Sequence, residues 1–179
     1  MSRIQPLNPA QATGKAKELL DGVKAKLGFV PNMMATMAVS PAVLEAYLNF
    51  SGAASHTLDA KLREEIALVV AETNGCDYCA AAHSAIGKMV GLTPEAIINA
   101  RRGSSTDPKH NAIIELARAI ALSRGQITQT EYHQAVNSGL NEREIAEVVA
   151  NVALNFFTNA FNNVVQTKVD FPAVEALHA

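Results

Sequence analysis

Four times in this chain a residue that caps helices stands directly before a proline: Asn8-Pro9, Ser40-Pro41, Thr93-Pro94 and Asp107-Pro108. Ser, Thr, Asp and Asn side chains satisfy the orphan N–H groups of a helix start, and proline at the first helical position gives up an N–H that has no partner there. Thr128 to Glu131 and Asn141 to Glu144 add the spacing of a capping box, in which the cap and the third helical residue bond reciprocally. These are six helix starts. Gly28, Gly91, Gly103, Gly125 and Gly139 punctuate the gaps between them.

Between the punctuation, apolar residues recur at helical spacing. Ile113, Ile114, Ala117, Ile120 and Ala121 form one such run, and Ile145, Val148, Val149, Val152 and Ala153 another. Val69-Val70 sits among alanines and helix formers, and no alternating strand pattern recurs. The pattern predicts an all-α protein of about eight or nine helices. A chain of 179 residues that is 49% apolar and 18% charged is globular, and residues 1–179 are read as one helical domain rather than two small halves of the same kind.

A formal charge of -2 argues against a nucleic-acid partner. No stretch has the length of a signal peptide or of a bilayer span, so a cytoplasmic protein without membrane contact is expected. In a reducing compartment a Cys-x-x-Cys pair is catalytic or metal-binding more often than structural.

Both cysteines lie in the run Cys76-Asp77-Tyr78-Cys79-Ala80-Ala81-Ala82-His83. Thiols three residues apart close into a disulfide with little backbone movement, and a His four residues beyond the second shares their helix face. If Cys76 precedes a helix start and Cys79 lies in its first turn, the orphan N–H groups and the positive helix end favour thiolate there. Upstream, Glu64 reads as lying near the start of a separate helix capped by Asp59 or Thr57. Glu65 is its rival, about 100° away around the helix.

The pattern Glu64-x11-Cys76-x2-Cys79-x3-His83 resembles the active-site signature of the alkyl hydroperoxidase D-like and carboxymuconolactone decarboxylase superfamily. Asn74-Gly75 before the first Cys and Phe29-Val30-Pro31-Asn32 near the N-terminus are similar too. The resemblance implies that superfamily's helical fold and a thiol peroxidase acting on hydrogen peroxide or organic hydroperoxides. In that reading Cys79 attacks the O–O bond and Cys76 resolves the sulfenic acid to a disulfide, with His83 as base and Glu64 as its orienting partner. The resemblance also implies an external dithiol reductant, carried by a lipoyl or thioredoxin-like protein, and a homo-oligomer, a trimer or hexamer. No bound cofactor or metal is implied. Tyr78 departs from the best-known hydroperoxidases, which have His there. A phenol cannot replace a base at neutral pH, though it can donate a hydrogen bond.

Other readings of the same residues stay open. A zinc site would need a fourth ligand such as Glu64 and has no second Cys pair, and c-type haem would need His where Ala80 stands. A carboxymuconolactone decarboxylase-like lyase has no use for the thiol pair, and a redox-sensing helical oligomer would form the disulfide without turnover. His56, His110, His133 and His178 lack partner spacing and read as surface or loop residues. Glu72 reads as solvated, Met33, Met34 and Met37 as core or subunit contact, and Phe156, Phe157 and Phe161 as too divergent in direction for one buried face.

A partial repeat runs through the chain at an offset of 79: Glu65-Ile66-Ala67-Leu68-Val69-Val70-Ala71 matches Glu144-Ile145-Ala146-Glu147-Val148-Val149-Ala150. Carried forward, it sets Asn155 opposite Cys76, Thr158 opposite Cys79 and Asn162 opposite His83. Residues of about 142–165 therefore read as a pseudo-repeat of the motif region 64–83 that lacks the thiols.

Overall fold

In a computed structural model that describes residues 2–175 and 177, all regular structure is helical. Nine α-helices follow in order among those residues: α1 (Gly14–Leu27), α2 (Asn32–Met37), α3 (Pro41–Ala54), α4 (Ala60–Thr73), α5 (Asp77–Met89), α6 (Pro94–Arg101), α7 (Pro108–Ser123), α8 (Gln129–Asn137) and α9 (Glu142–Val165). The capping signals place their starts. Thr93 and Asp107 cap α6 and α7, and both capping boxes are complete, at Thr128 with Glu131 and at Asn141 with Glu144. Asn8-Pro9 opens only a 3-10 turn, Pro9–Gln11.

Helix α4 is the hub, packed against α5, α6, α7 and α9. That explains why Glu65 through Ala71 is buried without interruption, so that Val69-Val70 serves a helix enclosed on all sides. One apolar cluster joins α4 to α6, α7, α8 and α9 through residues such as Ile66, Val70, Ile113, Ala117 and Val148. The other gathers Leu20, Met33, Met37 and Leu44 around Cys76, Tyr78 and Cys79. Met33 and Met37 thus take the core reading, and the core in question surrounds the thiols.

The two copies of the repeat take different shapes. After α4 the chain turns sharply at Asn74-Gly75, where Gly75 adopts φ +59°, and re-enters α5. At offset 79 the same place holds Ala153-Leu154 inside the unbroken 24-residue α9. A left-handed residue costs an L side chain about 1–2 kcal/mol, so glycine makes the turn and leucine continues the helix. The three phenylalanines of α9 diverge: Phe156 packs on the first core, Phe161 on the second, and Phe157 is exposed beside Tyr47.

Beyond α9 the chain runs back as an irregular strap. Asp170 Oδ2 accepts from the Asn32 amide at 2.7 Å, and Phe171 meets the rings of Phe29 and Tyr78 edge-on, with centroids 6.0 and 5.7 Å away. Arg101 Nη2 donates to the Glu175 carbonyl at 2.8 Å. No helix of the described residues is long and apolar enough to cross a membrane.

Candidate redox site

Cys76 is the N-cap of α5, and Cys79 is its third residue, donating its backbone N–H to Cys76 Sγ at 3.4 Å. The two sulfurs are free and lie 2.6 Å apart, with the Cys76 thiol donating to Cys79. Bond formation at about 2.05 Å needs only a small side-chain movement. Both residues are buried.

What surrounds Cys79 comes mostly from α9. Asn162 Nδ2 donates to Cys79 Sγ at 3.3 Å and to Met33 Sδ at 3.2 Å. The buried amide nitrogen of Asn159 has no protein acceptor within normal geometry, and it stands beside the same sulfur with the Thr158 hydroxyl. The hydrogen bond from Cys76 holds the Cys79 pKa below its ordinary range against the burial that raises it, and the Asn162, Asn159 and Thr158 dipoles act in the same direction. That same contact with Cys79, with burial adding to it, pushes the Cys76 thiol up. One sulfur is disposed to be thiolate and its neighbour to keep the proton.

Glu64 and His83 meet directly: Glu64 Oε2 lies 2.7 Å from His83 Nδ1, with both side chains mostly buried. Asp59 caps α4, accepting from the Lys61 and Leu62 amides, and so fixes the turn that carries Glu64. Burial disfavours the imidazolium, but the charge of the Glu64 carboxylate and its hydrogen bond outweigh this, and the His83 pKa rises above its ordinary value. With Nδ1 held by Glu64, Nε2 is the atom left to exchange protons. His83 makes no direct hydrogen bond to either sulfur among the described residues.

Glu65 does not enter the site. It is buried on the other side of α4, with Oε2 at 2.6 Å from His110 Nδ1. The surface reading of His110 is therefore corrected: it lies in the first turn of α7, and the buried carboxylate supplies the partner that its sequence neighbours lack. His56 and His133 are exposed as expected, and His178 lies outside the described residues. Glu72 is also not simply solvated, since its Oε1 accepts from Arg101 Nε at 2.5 Å. Tyr78 is a structural anchor; its hydroxyl accepts the Met33 amide proton at 3.2 Å and faces the Asp170 carboxylate. Among the described residues no group of three or more His, Cys, Asp and Glu side chains is spaced to hold a metal ion.

Two cavities flank the thiols. One of 190 Å³ is bounded by Tyr47, Arg63, Glu64, His83, Asn155 and Thr158. The other, of 410 Å³, has Cys76, Glu72, Arg101 and Ala81 on one side and Val169 and Val174 of the strap on the other. A further cavity of 460 Å³, near Glu115, Arg118 and Gln134, contains no motif residue. Sequence reasoning did not assign the α9 amides a role. Their signal was present as Asn151, Asn155, Asn159 and Asn162, a polar stripe at i, i+4, i+8 and i+11 on an otherwise apolar helix, all four buried.

Residues 41–107 match the model of the carboxymuconolactone decarboxylase family. A comparison with the curated proteins finds no match. Among solved structures, the chain resembles an alkylhydroperoxidase AhpD core, an uncharacterized peroxidase-related protein from Ralstonia eutropha, with TM-score 0.83 and 20% identity over 94% of this chain and 92% of that one. A peroxidase-related protein from Silicibacter sp. aligns with TM-score 0.78 and 21% identity over 92% and 91% of the two chains. The debrominase Bmp8, in complex with 2,3,4-tribromopyrrole, aligns with TM-score 0.80 and 19% identity over 95% and 92%. At such identities the structures speak for the fold, and the family match contains the whole motif from Glu64 to His83. The chain thus carries a carboxymuconolactone decarboxylase family match at residues 41–107 within a fold it shares with alkylhydroperoxidase-related structures.

Proposed function

We propose that the protein is a dithiol reductase of hydroperoxides, with Cys79 as nucleophile, Cys76 as resolver, His83 as base and Glu64 as the group that orients His83. The observation that carries this reading is the pair of free sulfurs 2.6 Å apart, with the side-chain amide of Asn162 donating to Cys79 alone. A hydroperoxide entering beside His83 and Thr158 is attacked at oxygen by the Cys79 thiolate. The O–O bond breaks, the alcohol leaves with a proton from the imidazolium, and Cys79 becomes a sulfenic acid. Cys76 then gives its proton to His83 and attacks the Cys79 sulfur, and hydroxide departs as water with that proton. The protein has lost two electrons to the peroxide, and an external dithiol must return them.

The lyase alternative leaves both cysteines idle and the amide donors without purpose. A second reading has more support. The fold shared with a debrominase fits reductive dehalogenation, in which the same dithiol supplies two electrons, the carbon takes a proton and halide leaves. Hydroperoxide consumption with dihydrolipoamide as reductant tests the first reading. Turnover should disappear in Cys79→Ser and become a single stoichiometric event in Cys76→Ser. Activity on a bromopyrrole but not on any hydroperoxide would select the second reading.

A homo-oligomer is part of the proposal. Val149, Phe157 and Val164 leave an exposed apolar row along α9, and Phe50 is an exposed aromatic on α3.

A further inference from the structure

The two sulfurs differ in what can reach them. Each is only 2% exposed, yet Cys76 forms part of the wall of the 410 Å³ cavity and Cys79 lines none of the cavities described. They also differ as leaving groups. In thiol–disulfide exchange the accessible sulfur is attacked, and the sulfur better stabilised as thiolate departs faster. Asn162 donates to Cys79 and nothing comparable from α9 reaches Cys76.

We propose that the thiol that reopens the Cys76–Cys79 disulfide enters the cavity behind the C-terminal strap, attacks Cys76 and expels Cys79; this rests on the redox reading of the site. The reductant's thiolate forms a bond to Cys76 Sγ while the Cys76–Cys79 bond breaks, and Cys79 leaves as thiolate into the Asn162 donor. The reductant's second thiol then attacks its own sulfur in the mixed disulfide, closing the reductant's disulfide and releasing Cys76. Two electrons pass from the dithiol to the protein, and its two protons end on the protein thiols.

At that cavity a sulfur 2% exposed lies beneath a strap held by Arg101 on Glu175 and by Asn32 on Asp170, and most of the strap side of the cavity is the apolar Val169, Ala173 and Val174.

The test uses the full chain with its disulfide formed by diamide, so it needs no peroxidase activity. A brief pulse of the slender monothiol N-acetylcysteamine, acid quench, alkylation and peptide mapping would show which sulfur carries the adduct. The expected result is an adduct on Cys76 with alkylated Cys79, in a ratio of about ten to one or higher; adducts on Cys79, or on both equally, overturn the assignment. Ala173→Trp, which narrows the cavity from the strap side, should slow the same reaction about tenfold, whereas a chain ending at Phe171 should react no more slowly than the parent. An unchanged rate in Ala173→Trp overturns the entry route even where the adduct sits on Cys76. Failure of diamide to form the disulfide at all defeats the underlying redox reading instead.

Discussion

At the scale of single residues, the chemistry rests on an asymmetry between two identical side chains three positions apart. Cys79 Sγ receives donors from the α9 side chains and from the Cys76 thiol, while Cys76 Sγ accepts only the Cys79 backbone N–H, so the pair has a built-in direction. The spacing of Glu64, Cys76, Cys79 and His83 was legible in the sequence; that Glu64 meets the imidazole directly, and not through a water, was not, because tertiary packing alone brings the two helices together. The direction was not, because it depends on Asn162, which is 83 residues from Cys79. Asn162→Leu should therefore shift the pH at which Cys79 of the Cys76→Ser protein reacts with iodoacetamide to higher values. It should also slow that reaction near neutral pH by about tenfold, since a hydrogen bond to a charged group contributes about 1.5–3 kcal/mol. Alkylation rates across the pH range read both effects, and an unshifted profile would remove Asn162 from the site.

Elements set the geometry that the residues use. The α4 and α5 pair is joined by Asn74-Gly75, which turns the chain so that the end of one helix meets the cysteine start of the next. Cys76 N donates to Ala71 O at 2.9 Å across this turn, and Asn74 is clasped by α9 through Asn159 and Asn163. No neighbouring atom lies within 4 Å of where a Gly75 side chain would begin, so Gly75→Ala meets only the strain of its positive φ. It should cost about 1 kcal/mol, read as a shift in the urea midpoint with unchanged slope. A cost several times larger would mean that the turn is built differently. The helix starts were legible because capping is local chemistry within four residues. The pairing of Glu65 with His110, and of Glu72 with Arg101, was not, because each joins helices that touch only after folding.

At the scale of the whole molecule, the bundle buries the cysteine pair near two unlike cavities: a small one at Glu64 and His83 and a larger one at Cys76 roofed by the strap. The all-α architecture could be read from punctuation and periodicity; the strap could not, because Thr167 to Glu175 has neither pattern and is held by scattered contacts to Phe29, Asn32, Tyr78 and Arg101. The family resemblance implies the mass of a trimer or hexamer in solution, and if the exposed Val149, Phe157 and Val164 form its contact, Phe157→Lys lowers that mass. Light scattering after gel filtration measures both; a monomeric parent would contradict the expectation. The most direct measurement is a single turnover: fully reduced protein mixed with one equivalent of an alkyl hydroperoxide, followed by intact mass and thiol counting. The predicted result is one equivalent of alcohol, both thiols lost to an intramolecular disulfide, and, in Cys76→Ser, a sulfenic acid trapped on Cys79. Hydroperoxide left unconsumed while the two thiols remain free, or a sulfenic acid formed on Cys76 in Cys79→Ser but not on Cys79 in Cys76→Ser, would contradict it.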